Sequence, residues 1–72
     1  YYLRKATEVK LAIYNSSGRL VRNLVNRVEE VGSKSVFWDG RDENGEVVPS
    51  GTYFCRLAHG EFSATEKVIL LK

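Results

Sequence analysis

Apolar and polar residues alternate one for one from Glu8 to Tyr14. Val9, Leu11 and Ile13 fall on one face, and Lys10, Ala12 and Tyr14 on the other. A period of two is the mark of a strand with one face buried. The alternation returns in Ser33 to Trp38, with Val36 and Trp38 on one face. It returns again in Thr52 to Ala58, where Tyr53, Cys55 and Leu57 oppose Thr52, Phe54 and Arg56. Glu61 to Leu71 reads as a further strand whose apolar content rises toward its end. Asn15-Ser16-Ser17-Gly18 is a turn by composition, and His59-Gly60 reads as a two-residue hairpin turn. Short strands at regular turn spacing predict an all-β fold, a small antiparallel sandwich.

One segment resists this pattern. In Arg19 to Val31, the residues Leu20, Val21, Leu24, Val25, Val28 and Val31 fall at helical spacing. Periodicity alone predicts an amphipathic helix there. Residue type points the other way: four of those six residues are valines, which favour strands. Gly18 is also a poorer helix cap than serine or aspartate.

Composition narrows the classes. The 72 residues make one domain, 1–72, with 43% hydrophobic and 28% charged residues, the balance of an ordinary globular domain. A chain this short buries only about 60% of its unfolded surface, so it depends on good packing or on a neighbour. A lone cysteine, Cys55, excludes an intrachain disulfide and a multi-cysteine zinc cluster. The net charge of +2 is small and the basic residues are scattered, which argues against a nucleic-acid partner. The apolar run Val68 to Leu71 is far too short for a transmembrane segment. No signal-peptide pattern opens the chain. The start at Tyr1-Tyr2-Leu3, without Met, reads as a piece cut from a longer protein.

Candidate chemistry concentrates between Trp38 and Phe54, which holds three of the six glycines, the only tryptophan and the only proline. Asp39, Asp42, Glu43, Asn44 and Glu46 could offer oxygens to Ca²⁺, and Asp42-Glu43-Asn44-Gly45 resembles the middle of an EF-hand loop. The first ligand position would then be Gly40 and the bidentate glutamate would be Gly51, so turn chemistry is the better reading. An exposed Trp38 could stack on a sugar, but its shared face with Val36 places it in the core. Cys55 lies on the apolar face and His59 in a turn, with no second histidine, so nucleophilic catalysis has no support. Glu29, Glu30, Glu61 and Glu66 have no pocket to tune them as an acid/base pair. The ending Lys67-Val68-Ile69-Leu70-Leu71-Lys72 is an apolar strand bracketed by lysines, suited either to the core or to edge pairing with another protein.

Three blocks carry a family likeness. Leu11-Ala12-Ile13-Tyr14-Asn15-Ser16-Ser17-Gly18-Arg19-Leu20-Val21 resembles a strand, turn and strand block. Trp38-Asp39-Gly40-Arg41-Asp42 through Gly51-Thr52-Tyr53 resembles a W-D-G…P-x-G-x-Y block, and Glu66 to Lys72 resembles a lysine-bracketed terminus. Together they resemble the Ig-like domain of the flagellar hook-capping protein and the related C-terminal sorting domains of the type IX secretion system.

The resemblance implies an Ig- or fibronectin-III-like antiparallel sandwich of about six or seven strands, in which Arg19 to Val25 is a strand. It marks Tyr14, Gly18, Arg19, Trp38, Asp39 and Gly40 as motif residues, and likewise Gly45, Pro49, Gly51, Tyr53, Lys67 and Lys72. For function it implies a non-catalytic module, without cofactor, that directs a larger bacterial protein for secretion and attachment at the cell surface. The partners implied are the outer-membrane secretion machinery and an upstream domain of the same chain. A carbohydrate-binding or structural accessory domain of a secreted hydrolase is the alternative, with a surface glycan as partner. Hook-capping domains of this type usually carry a second small module inserted within them; none appears here, which weighs toward the sorting reading.

Overall fold

Val9, Leu11 and Ile13 do face one way, and the molecule is built on them. The computed structural model describes residues 1–72. It contains six strands and no helix: β1 (Tyr2–Leu3), β2 (Thr7–Asn15), β3 (Leu20–Glu29), β4 (Gly32–Ser33), β5 (Gly51–His59) and β6 (Phe62–Leu70). The strands form two antiparallel sheets, a four-stranded one in the order β3-β2-β5-β6 and a two-stranded one of β1 and β4. This is the expected all-β fold, a small Ig-like sandwich with one short sheet.

Cross-strand register follows the alternation. Leu11 lies opposite Leu57, Ile13 opposite Cys55 and Asn15 opposite Tyr53. On the next pair, Tyr53 faces Val68 and Leu57 faces Ala64. All these side chains stand on the inner face of the four-stranded sheet, since directly opposed residues share a face. Two buried groups result. Leu3 from the small sheet closes on Val9, Leu11 and Val25. Ile13, Tyr53 and Val48 form the second group, with Trp38, Val68 and Leu70 at its rim. No charged side chain is buried.

The helix that periodicity predicts at Arg19–Val31 does not form, and β3 explains why the spacing misleads. Its register against β2 slips twice: Leu11 and Ala12 face Val25 and Asn23, and Ile13 and Tyr14 face Arg22 and Leu20. Leu24 and Val21 are each left without an opposite residue, as in a β-bulge. Both extra residues turn inward and pack on the two buried groups. Two bulges thus convert a period of two into inward residues at 21, 24 and 25. Leu20 and Val28 lie on the outer face, 49% and 68% exposed.

Two further expectations shift. The hairpin turn is Gly60-Glu61 rather than His59-Gly60, because His59 still pairs with Phe62. Gly60 takes φ +55°, while no other residue type has positive φ, the geometry of a II′ turn with glycine first. The strand expected over Ser33–Trp38 stops at Ser33. Its partner β1 ends the ladder: Lys34 still donates to the Tyr1 carbonyl at 2.7 Å, and beyond it no strand lies alongside Ser35 to Trp38.

Candidate functional site

The loop between β4 and β5 was the first candidate for chemistry, and its polar groups are engaged with the chain itself. Asp42 Oδ1 accepts from the backbone N–H groups of Asn44 and Glu46, at 2.9 and 3.0 Å. The Asp42 N–H donates to the Glu46 carbonyl, and Gly45 N–H to the Asp42 carbonyl. Arg41 and Val47 form a bridge at the neck of this small turned unit. Asp42 is therefore a side chain that folds its own turn. Asp39 accepts from the Arg41 N–H at 3.1 Å and pairs with the Arg22 guanidinium. Glu43 accepts the Asn23 N–H, and its own N–H reaches the Val21 carbonyl. No group of three or more His, Cys, Asp or Glu side chains is placed to hold a metal ion. Within the EF-hand-like run, Asp42 Oδ1 and Glu43 Oε1 are engaged by backbone donors.

Those last bonds dock the loop on the bulged half of β3. They satisfy backbone groups along the outer edge of the four-stranded sheet, which would otherwise stay open for pairing. The Asn15–Arg19 turn lies beside it: Asn15 Oδ1 accepts from the Ser17 and Arg19 N–H groups, both at 3.0 Å. Arg19, Asp42, Glu43 and Val48 line one shallow hollow there. The first two motif blocks, far apart in sequence, so meet at one end of the sandwich.

Trp38 is half-buried and packs edge-on against Tyr53, ring centroids 5.2 Å apart. Its indole N–H donates to the Arg41 carbonyl at 3.0 Å. Tyr53 is buried and donates its hydroxyl to the Pro49 carbonyl at 2.7 Å. Gly40 is buried beneath Leu70. Gly45 takes φ +80° at the tip of the turned unit, and Gly51 opens β5. Lys72 donates from its backbone to Ser50 Oγ at 3.1 Å and from Nζ to the Val48 carbonyl, so it straps the same loop. Lys67 stands apart, on the outer face opposite Phe54. Tyr14 and Phe54 lie side by side on that outer face, where with Arg56 and Thr65 they line a second hollow.

Some neighbours were not foreseen. The Tyr1 hydroxyl donates to Glu29, which is also paired with Arg27 at 3.4 Å. Burial first, and then this bond, push the Tyr1 phenol up to about 12. The same bond is the main cause holding Glu29 below its ordinary value, with Arg27 adding to it. His59 stacks on Phe62 with centroids 4.9 Å apart. Cys55 is raised by burial and then by the Glu66 carboxylate, the opposite of an activated thiol.

The match of known families decides what this assembly of motifs is. The family model described as the FlgD Ig-like domain matches residues 1–61. The chain belongs to the FlgD Ig-like domain family. No curated protein and no solved structure matches the chain significantly. The matched stretch takes in both blocks that meet at the Arg19–Asp42 end of the sandwich and ends at Glu61, in the hairpin turn before β6. The match favours the hook-capping side of the resemblance, against which the missing inserted module had counted. No helix of the protein is long and apolar enough to cross a membrane.

Proposed function

We propose that this chain is a non-catalytic assembly module of the hook-capping kind, serving a larger protein by packing rather than by chemistry. The family match over residues 1–61 carries the reading. The engagement of Asp39, Asp42 and Glu43 with backbone N–H groups supports it, because those are the side chains a reactive loop would need free. The test is a domain exchange in a flagellated bacterium: residues 1–72 replace the Ig-like domain of its hook-capping protein. Hook assembly and swimming are the expected result. A stably folded chimaera that builds no hooks overturns the reading.

Secretion sorting with cell-surface attachment is the second reading, favoured by one observation. β6 is an edge strand of nine residues, paired on one side only, and carries Lys67 within its apolar half. Such an edge can be read by strand addition. Fusion of residues 1–72 to a reporter, in a bacterium with the type IX system, tests this. Release to the cell surface supports sorting, and retention in the periplasm removes it.

A further inference from the structure

A cleft of about 440 Å³ lies between the two sheets. Leu11, Cys55 and Leu57 line it from the inner face of the large sheet. One lip is the Lys34–Val36 stretch that continues β4. The other is Ala64 and Glu66 on the edge strand β6. The lips carry opposite charges, Lys34 on one and Glu66 on the other. Neither takes part in the two ion pairs of the chain, Arg22–Asp39 and Arg27–Glu29. Just past the Lys34 lip stands Phe37, 85% exposed and the barest large apolar side chain of the protein. None of the backbone hydrogen bonds outside the strands involves Ser35 to Trp38, and β6 has no strand along its outer edge. A bare phenylalanine, an apolar cleft and two unpaired opposite charges thus share one face. Such a face marks a site of association.

We infer that this face binds a second copy of the chain across a two-fold axis. Two clefts set mouth to mouth can be related by an axis along the cleft or by one across it. The axis along the cleft lays each Lys34 lip over the other copy's Glu66 lip. The axis across it lays Lys34 on Lys34 and Glu66 on Glu66, which repel. Charge selects the first arrangement. The same exchange of lips carries Phe37 along with Lys34, so each ring lies over the apolar lining of the other copy's cleft. One patch therefore supplies both the knob and the hole, as a two-fold contact requires. A single cleft with its lips falls short of the roughly 1,200 Å² buried in stable complexes, so the dimer is weak, with Kd on the order of 0.1 mM.

Sedimentation equilibrium of residues 1–72 between about 10 μM and about 1 mM brackets that constant. A concentration-dependent dimer is expected, with slower Cys55 alkylation in the concentrated sample than in the dilute one. Lys34→Glu and Glu66→Lys are each expected to weaken association at least about tenfold, and the two together to restore it. Phe37→Ser, at a side chain already open to solvent, is expected to weaken it as much. Exchange of the β2 amides verifies that each variant is folded, and Phe37→Ser keeps the test decisive should a charge reversal unfold the chain. A chain that is monomeric throughout overturns the inference. So does a dimer indifferent to Phe37→Ser or to either single reversal, or one that the paired reversal fails to restore. A monomer whose Cys55 is protected instead by an added Val-Thr-Val-Thr-Val peptide puts a foreign strand in the cleft and overturns the second copy as its occupant.

Discussion

Trp38 stands edge-on to Tyr53, with ring centroids 5.2 Å apart and the planes 67° from parallel. Each ring also ties down its own side of the loop, Trp38 through the Arg41 carbonyl and Tyr53 through the Pro49 carbonyl. The pair thus clamps both ends of one loop to β5. Trp38→Ala is expected to cost about 2 kcal/mol, less than a fully buried Trp because the ring is partly open to solvent. Tyr53→Phe, which keeps the ring and loses the hydroxyl, is expected to cost about 1 kcal/mol. Urea unfolding of the two variants measures both. Equal losses would show that the hydroxyl, not the ring contact, dominates.

Asp42 folds the loop through two backbone bonds at one oxygen. Asp42→Ala is expected to cost about 1 kcal/mol, and Asp42→Asn, which keeps an acceptor oxygen, a few tenths. Calcium or a chelator is expected to leave the thermal midpoint unchanged in both the parent and Asp42→Asn. A calcium-dependent rise abolished by Asp42→Asn would return the loop to a metal reading.

At Gly45, φ is +80° and nothing lies within 4 Å of the place a Cβ would occupy. The barrier to substitution there is backbone strain alone. Gly45→Val is expected to cost about 1–2 kcal/mol, and Gly45→Asn less, because Asn enters the left-handed region more readily. Similar losses for both would point to a packing role that the open space does not provide for.

The Tyr1–Glu29 bond makes stability depend on pH at both ends of the scale. Glu29 is held below its ordinary value of 4.5, chiefly by the Tyr1 hydroxyl, so its contribution is present above that value and disappears as pH falls through the lowered one. Tyr1 is raised from 10.0 to about 12, so its contribution is whole below 10 and disappears as pH rises toward 12. Tyr1→Phe is expected to flatten both slopes. Urea midpoints of parent and variant across acid and alkaline buffers test this, and parallel curves would show that the bond does not form in solution.

Cys55 faces inward, and burial and Glu66 both disfavour its thiolate. Native alkylation is expected to run at least about tenfold slower than in urea at the same pH. Glu66→Gln is expected to speed it modestly by removing the nearer charge. A native rate equal to the unfolded one would mean that the cleft over Cys55 is open to solvent on every side.

The legible part of the site was the turn chemistry. Asp42, Asn15 and Gly45 act on backbone two to four residues away, so their spacing in sequence already carries their role. The Arg22–Asp39 pair, the seating of Glu43 on β3 and the Tyr1–Glu29 bond were not legible. Each joins residues separated by 17 or more positions, and any of the scattered charges could have partnered any other.

Sequence by itself settled the fold class and the inward set on β2 and β5, because alternation is a local property of an extended chain and Val9, Leu11, Ile13, Tyr53 and Leu57 obey it. At β3 periodicity pointed to a helix and the family resemblance to a strand; the strand formed, and only the tertiary structure decided its bulges. Its two bulges turn Val21 and Leu24 inward, where the core offers room, and a helix and a doubly bulged strand share that spacing. It also decided where the strand after Gly32 stops. Alternation through Trp38 promises a strand, but a strand is completed by a partner's hydrogen bonds, and at Lys34 the partner ends.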